Sequence, residues 1–313
     1  MAKKKPAAKS VKKKKPTYAD MLEQLDKQHI WHPFTQMADW LKEPQVIIES
    51  GKGSYVFDTR KKSYIDGVSS LWVTVHGHRK REIDKAVSVQ LGKIAHSTLL
   101  GLSNVPAVQL AEKLLSIAPG GLTKVFYSDS GSTAVEIALK IAFQYWQQRG
   151  QGFQNKTGFI SLTEAYHGDT IGSVSVGGID LFHSIYKPLL FKSYKIETPY
   201  CYRCKYSLTY PECQMTCLMH AERTIQKYAS VTAGLIIEPL VQGAAGMLLQ
   251  PPGYLKRLRQ ICTDNNILLI ADEVATGFGR TGTMFACEQE KVAPDIMALS
   301  LIHISEPTRQ AEI

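Results

Sequence analysis

The stretch from Ile267 to Gly282 constrains the fold more than any other part of this chain. Residues 267–271 are all apolar, which is typical of a strand buried on both faces of a parallel sheet. Asp272 follows the run, and a glycine-rich loop comes after it. Because open α/β sheets bind ligands at the carboxyl ends of their strands, a carboxylate here predicts a site for a cationic group. The alternative interpretation is an ordinary solvated carboxylate at a strand end.

Short apolar runs alternate with longer amphipathic stretches through the second part of the chain. We predict strands at 124–128, 158–162, 233–237, 267–271 and 295–299. We predict helices at 132–148, 217–229 and 253–265, with a short helix after Gly168. This order implies an α/β fold with a mainly parallel sheet clothed by helices. One stripe of helix 132–148 is expected to be buried: Ala134, Ile137, Ala138, Ile141, Ala142 and Tyr145.

The first part of the chain predicts a separate N-terminal segment. We expect a helix at 18–28, a small antiparallel meander at 46–50, 54–58 and 63–65, and helices at 81–95 and 106–117. The expected organisation is a tail at 1–16, the N-terminal segment at 17–78, and a large domain at 79–300 with a cysteine-rich insertion at 198–217.

Positive charge is concentrated in the tail. Residues 1–16 contain eight lysines and no acidic residue, so of the formal net charge of +9 only about +1 belongs to the rest of the 313-residue chain. A disordered and functionally idle tail is the favoured interpretation, and weak binding of nucleic acid or an anionic membrane is the alternative. The nearly neutral body has no run long enough to span a membrane. We expect a cytoplasmic enzyme with no membrane partner and no specific nucleic-acid partner.

Six cysteines leave two interpretations open. Four of them have the spacing C-x2-C-x8-C-x3-C, namely Cys201, Cys204, Cys213 and Cys217. Four cysteines so close together could hold structural zinc, although the central spacing is short for a zinc ribbon. A reduced, cysteine-rich surface excursion without metal is the interpretation we favour. Cys262 and Cys287 lie in apolar surroundings and are expected in the core.

The segment from Ser128 to Glu136 predicts an anion site. It joins a predicted strand to a helix, and the first turn of a helix offers unpaired backbone N–H groups and the positive end of the dipole. Gly131 allows a close backbone approach, and Ser132 adds a hydroxyl donor. A helix start of this kind is a weak indication alone, because hydroxyl residues cap helices everywhere.

With Tyr166-His167-Gly168 and the loop after Asp272, these motifs resemble the class III, fold-type I aminotransferases that use pyridoxal 5′-phosphate. The resemblance implies that Asp272 pairs with the pyridinium nitrogen and that Gly131 and Ser132 hold the phosphate. It also implies that Tyr166 stacks on the ring and that Val274 packs on the opposite ring face. The loop 238–243 matches the family too, and its residues are expected to shape the site rather than do chemistry.

One branch of the family is indicated by the segments 31–37, 67–72 and 76–78. They resemble the aminotransferases of biotin synthesis that convert 8-amino-7-oxononanoate to 7,8-diaminononanoate. The resemblance implies that Phe34 and Trp72, with Tyr166, contact the long aliphatic substrate. Another class III ω-amino-acid aminotransferase is the alternative.

Two departures from that branch leave the amino donor open. Phe34 stands where the better-known form has tyrosine, and Leu71-Trp72 stand where it has two tryptophans. Because the pocket then lacks a hydroxyl and an indole, S-adenosylmethionine and lysine are both candidate donors.

The lysine that the family uses to form its Schiff base is missing. The resemblance places it at position 301, which is Leu301, and the last lysine of the chain is Lys291. Residues 301–313 match nothing expected in the family and resemble translated adapter DNA. We therefore expect a C-terminally truncated chain with a non-native tail that cannot catalyse transamination, or a non-catalytic cofactor-binding fragment. For the full-length parent we expect a homodimer with active sites at the subunit interface.

Overall fold

The computed structural model describes residues 15–180 and 184–300. The chain divides into two compact units, Met1–Gln90 and Leu91–Ile313. The expected boundary between residues 78 and 79 stays a prediction. The expectations for residues 1–14 and for the tail 301–313, including Leu301, fall outside the described residues. Within the described ranges, no helix is both long enough and apolar enough to cross a membrane.

The first unit contains the predicted helix and meander. Its elements are α1 (Tyr18–His29), α2 (Met37–Trp40), β1 (Ile48–Lys52), β2 (Tyr55–Asp58), β3 (Ser63–Ile65), α3 (Ser69–Trp72) and α4 (Arg81–Leu91). The three strands form an antiparallel sheet in the order β1-β2-β3, which confirms the meander. Helix α1 begins at a capping box, in which the Thr17 hydroxyl accepts from the Asp20 N–H and the Asp20 carboxylate accepts from the Thr17 N–H.

The second unit is an α/β domain. Its helices are α5 (Val105–Ile117), α6 (Gly131–Gln148), α7 (Ile171–Val176), α8 (Thr216–Tyr228) and α9 (Tyr254–Asp264). Its main strands are β4 (Gly158–Leu162), β5 (Tyr194–Ile196), β6 (Thr232–Ile237), β9 (Leu268–Asp272) and β10 (Ile296–Ala298), and β7 (Val241–Gln242) and β8 (Leu248–Leu249) form a small hairpin. The main sheet has the order β10-β9-β6-β4-β5 and is parallel throughout. The predicted fold class is confirmed.

Strand β9 is buried on both faces of the sheet, as its apolar sequence predicted. Leu269 and Ala271 belong to a core cluster with side chains of α8 and α9. Ile270 points to the other face and packs in a second cluster with α6. Since side chains alternate along a strand, burial on both faces requires apolar residues at successive positions. The apolar run ends at Asp272, whose carboxylate contacts His167 and the backbone N–H of Val274.

The predicted strand at 124–128 was wrong. These residues are extended but belong to no strand, and they make no backbone–backbone hydrogen bond within the described part of the chain. A strand exists only with a partner, and the described sheet ends at β10 without reaching this segment. Strand β5, which is only three residues long, and the small hairpin β7–β8 were not predicted from the sequence.

The buried face of α6 differs from the predicted stripe. The helix buries Val135, Ala138, Leu139, Ala142 and Trp146. Ala138 and Ala142 were predicted, whereas Ile141 and Tyr145 are exposed by 41% and 39% of their surface. The helix is thus apolar around more of its circumference than one sheet face can cover.

Candidate active site

Asp272 lies buried at the carboxyl end of β9, where the sequence placed it. One carboxylate oxygen, Oδ2, is 2.7 Å from Nδ1 of His167, which is also buried. The other oxygen, Oδ1, accepts a hydrogen bond from the backbone N–H of Val274 at 3.1 Å. An ionised carboxylate can only accept, so Nδ1 of His167 carries the proton of this bond. The Asp272 carboxylate is thereby held in one orientation at a buried position.

The opposite ring nitrogen of His167, Nε2, has no hydrogen-bond partner among the described residues although it is buried. Buried polar atoms are nearly always paired in native proteins, so an orphan of this kind calls for an explanation. His167 lies within a motif that carries the family resemblance, but no role was predicted for it. Its only sequence signal was the position directly after Tyr166, beyond a predicted strand.

The amino end of α6 lies close to the loop that follows Asp272. Ser130 caps the helix by accepting from the Thr133 N–H at 3.3 Å. The N–H groups of Gly131 and Ser132, in the first turn, have no acceptor in the described structure. A Cβ at Gly131 would come within 2.8 Å of the Val274 side chain, so only glycine permits this approach.

The loop after β4 packs against the same end of α6. Gly168 has φ +114°, and a Cβ there would lie 2.1 Å from the Ser132 hydroxyl oxygen. That hydroxyl accepts from the backbone N–H of Asp169 at 3.2 Å. One turn further along, the Glu136 carboxylate accepts from the Gly172 N–H at 2.6 Å. The loop is therefore fixed to the first two turns of the helix.

Tyr166 is half-buried beside these groups. Its hydroxyl donates to the Asp169 carboxylate at 2.7 Å. Burial raises the pKa of the phenol above its ordinary value, and the neighbouring Asp169 carboxylate adds to this increase. Tyr166 therefore stays neutral over the whole physiological pH range.

Glu238 holds the backbone that carries Tyr166. Its Oε1 accepts from the Tyr166 N–H at 3.1 Å, and its Oε2 accepts from the Gly243 N–H at 2.9 Å. The side chain is almost fully buried, and burial raises its pKa to about 7, with the Asp272 charge adding to the increase. Glu238 therefore joins the loop 238–243 to the backbone of Tyr166, and the expectation that this loop shapes the site stays a prediction.

Glu273 organises the loop after β9, and the sequence analysis missed it. Its carboxylate accepts from the Thr276 hydroxyl at 2.6 Å and from the N–H groups of Ala286 and Cys287 at 3.0 and 2.9 Å. Burial raises its pKa. A second acid directly after Asp272, at the end of a fully buried strand, was the available signal.

Phe34 and Trp72 lie in the first unit. Both have left-handed backbone, with φ of 50° and 73°, and Phe34 is 74% exposed. Left-handed residues continue through Ser69, Ser70 and Leu71, so α3 is a left-handed turn. Non-glycine residues pay a conformational cost in this region, which is commonly tolerated at functional segments.

The four clustered cysteines line one small cavity in the insertion, and all are free thiols. Burial raises the pKa of Cys217 to about 11, and it also raises the pKa of Cys201. Among the described residues, no three His, Cys, Asp or Glu side chains are grouped so that they could hold a metal ion.

A family model described as aminotransferase class III matches residues 36–304. The chain belongs to the class III aminotransferases. These enzymes depend on pyridoxal phosphate, and their large domain has the fold-type I architecture seen here.

Several class III aminotransferases are similar to this chain. An adenosylmethionine-8-amino-7-oxononanoate aminotransferase of Geobacter sulfurreducens is 56% identical over 276 residues, which are 88% of this chain and 60% of the relative. The crystal structure of the enzyme of that name from Methanocaldococcus jannaschii has a TM-score of 0.82 at 46% identity and covers 90% of this chain and 61% of its own. The crystal structure of an omega transaminase mutant from Pseudomonas jessenii has a TM-score of 0.85 at 32% identity. The match covers 92% of this chain and 63% of the transaminase chain. The chain spans about three fifths of the length of these relatives.

Proposed function

We propose that the site around Asp272 and the amino end of α6 binds pyridoxal phosphate. The observation that carries this proposal is the buried pair of Asp272 and His167, together with the approach of Val274, in the loop directly after Asp272, to Gly131 at the amino end of α6. The residues fit the cofactor, because Gly131 and Ser132 present unpaired N–H groups to an anion while Asp272 presents a buried negative charge. Close contacts at Gly131 and Gly168 bring the two parts together.

Each residue then has a defined task. Gly131 and Ser132 bind the phosphate with backbone N–H groups, and the Ser132 hydroxyl adds a donor. Asp272 favours a protonated pyridine nitrogen, and the bond to His167 keeps that carboxylate oriented. Tyr166 and Val274 contact the two faces of the ring. Bound there, pyridoxal phosphate supplies an electron sink for bond breaking at the carbon that carries the amino group.

For the whole enzyme we propose amino transfer to 8-amino-7-oxononanoate, which gives 7,8-diaminononanoate. Support comes from the relatives of that name, which are about half identical to this chain over nearly all of its length. An ω-amino-acid aminotransferase is the second candidate, because the omega transaminase fold matches equally well. The higher identity of the first group favours the first candidate.

Phe34 and Trp72, with Tyr166, are proposed to contact the aliphatic substrate. We propose S-adenosylmethionine or lysine as the amino donor.

We also propose that the whole enzyme is cytoplasmic and homodimeric. Exposed apolar side chains at Trp31, Phe34 and Leu71 support the homodimer, since such surface favours association. A sedimentation measurement on an active whole enzyme tests it, and an active monomer would refute it.

Cofactor binding can be tested on the 313-residue chain itself. We expect the Asp272→Asn variant to bind pyridoxal phosphate about tenfold more weakly, because a neutral amide no longer favours the protonated ring nitrogen. Tryptophan fluorescence quenching during titration with pyridoxal phosphate measures the affinity. Asp264→Asn, which neutralises an exposed acid at the end of α9, is the matched control and should leave the affinity unchanged. Equal affinities for both variants would contradict the proposed site.

A further inference from the structure

Cys201 and Cys204 form a C-x-x-C pair across one turn of 3-10 helix in the cysteine-rich insertion. The turn covers Cys201–Arg203, and Cys204 follows it as the C-cap. Residues i and i+3 of a 3-10 helix eclipse each other, and three rises of about 2 Å place their Cα atoms about 6 Å apart. A disulfide spans Cα separations of about 4.4–6.8 Å. The backbone therefore holds these two cysteines at a separation that a disulfide can bridge.

The turn is fixed at both flanks. The Lys205 ammonium forms an ion pair with the Glu197 carboxylate, which joins the two sides of the turn. The backbone N–H of Ser207 donates to the Cys204 carbonyl at 3.0 Å. Because the flanks are already held together, closing the short loop with a covalent bond costs little further chain entropy.

The surroundings of this pair favour thiol chemistry over ligand binding. The cavity that all four clustered cysteines line has a volume of about 20 Å³, which leaves room for about one water molecule and for no organic ligand. Among residues 15–180 and 184–300, no three potential metal ligands are grouped, so the reactive unit is a pair of thiols. Cys201 is exposed and Cys204 is half-buried, whereas Cys262 and Cys287 are buried. A small reagent can therefore reach Cys201 first.

We propose that Cys201 and Cys204 are a modification site, at which a small-molecule disulfide oxidises the two thiols to a reversible intramolecular disulfide. The Cys201 thiolate attacks one sulfur of the reagent, forms a mixed disulfide and releases one small thiol. The Cys204 thiolate then attacks the Cys201 sulfur, which closes the Cys201–Cys204 bond and releases the second small thiol. Two protein thiols are oxidised, one small disulfide is reduced, and the two protons end on the released thiols.

The exchange is expected to be slow at neutral pH. Burial raises the pKa of the Cys201 thiol, and the neighbouring thiols Cys213 and Cys204 add to the increase. Only a small fraction of Cys201 is then present as the thiolate that attacks. The proposal concerns the insertion alone and does not depend on the proposed amino transfer.

Peptide mapping after incubation with oxidised glutathione tests the proposal. The remaining thiols of the 313-residue chain are blocked, and the tryptic peptides are weighed by mass spectrometry without reduction. Trypsin cleaves after Arg203, between the two cysteines, so the expected disulfide joins peptide 196–203 to peptide 204–205. Because closure is intramolecular, this product should exceed the glutathione adduct of peptide 196–203 at least about tenfold. Dithiothreitol should separate the two peptides again.

Variants and internal controls identify the pair. Cys204→Ser should prevent closure and leave glutathione on Cys201, whereas Cys213→Ser should still give the link between 196–203 and 204–205. The buried Cys262 and Cys287 should stay reduced throughout.

Four results would overturn the proposal. A link between peptides 196–203 and 206–223 would show that Cys201 pairs with a later cysteine instead. A glutathione adduct that persists on Cys201 of the unmodified chain would show that Cys204 cannot reach it, and an unreacted Cys201 would show that no exchange takes place. One equivalent of zinc that copurifies with the chain and is lost from Cys204→Ser would show that the cysteines bind a metal ion.

Discussion

The buried carboxyl of Glu238 should make the folding stability of the chain depend on pH. Its pKa is raised from the ordinary value of 4.5 to about 7, and the main cause is burial. A carboxyl whose pKa is raised binds its proton more tightly in the folded than in the unfolded chain. Its contribution to stability is therefore fully present below about pH 4.5 and is lost as the pH rises through about 7.

We therefore expect Glu238→Gln to flatten the pH dependence of stability. Between pH 5 and pH 8 the wild-type chain should lose about 2–3 kcal/mol of unfolding free energy that the variant does not lose. Urea unfolding at the two pH values measures the difference. Glu290→Gln is the control, because Glu290 also accepts from two backbone N–H groups but is less buried. Parallel wild-type and Glu238→Gln curves would contradict the assignment.

Gly168 makes a second residue-scale prediction. An alanine there must adopt φ +114° and also displace the Ser132 hydroxyl, which would lie 2.1 Å from its Cβ. Gly282→Ala shares the backbone penalty at φ +104° but meets no atom within 4 Å. We expect Gly282→Ala to cost about 1–2 kcal/mol and Gly168→Ala about 2 kcal/mol more. Thermal unfolding of the two variants isolates the close approach, and equal losses would show that the loop does not press on α6.

Asp272 and His167 show how far the sequence predicts single residues. An apolar run that ends in one acid predicts a carboxylate at a sheet edge, and the structure has it there. Its bond to His167 joins positions 105 residues apart, and no local pattern encodes such a distant pair. Glu273 was missed for a similar reason, since its partners Ala286 and Cys287 are backbone groups of a later turn.

At the scale of secondary-structure elements, Glu273 ties the end of β9 to the turn Ala286–Glu290. Glu273→Ala would leave buried donors at Thr276, Ala286 and Cys287 without an acceptor. We expect a loss of about 3–5 kcal/mol in urea unfolding. Glu288→Ala, at an exposed position that accepts one backbone N–H from Phe285, should cost less than about 1 kcal/mol. Similar losses for both variants would mean that the loop is held by other contacts.

Elements with a local pattern were predicted well, and elements that depend on a partner were not. The helix 132–148 and the strand 158–162 follow from periodicity and caps within their own residues. The segment 124–128 has the composition of a strand, but pairing decides whether it becomes one. The same cause shifted the buried stripe of α6, because Ile137 and Ile141 line a surface cavity instead of packing against the sheet.

For the whole molecule, the residues proposed to contact the substrate and those proposed to bind the cofactor lie in different units of the chain. Phe34 and Trp72 belong to the first unit, whereas Asp272 and the amino end of α6 belong to the second. This chain spans about three fifths of the relatives and has leucine where the family resemblance places the reactive lysine.

We accordingly expect the 313-residue chain to bind pyridoxal phosphate but to form no 7,8-diaminononanoate, with a rate lower than that of a whole enzyme by a factor on the order of 10⁴ or more. Leu301→Lys alone should not restore activity, because the chain spans only about three fifths of the relatives' length and catalysis requires every reacting group to be positioned. Fusing residues 1–300 to the remaining length of the Geobacter sulfurreducens relative should restore it. Product formation from 8-amino-7-oxononanoate, with S-adenosylmethionine and lysine tried separately as donors, measures all three proteins. Turnover by the unmodified chain would show that Lys291 or another group replaces the expected lysine.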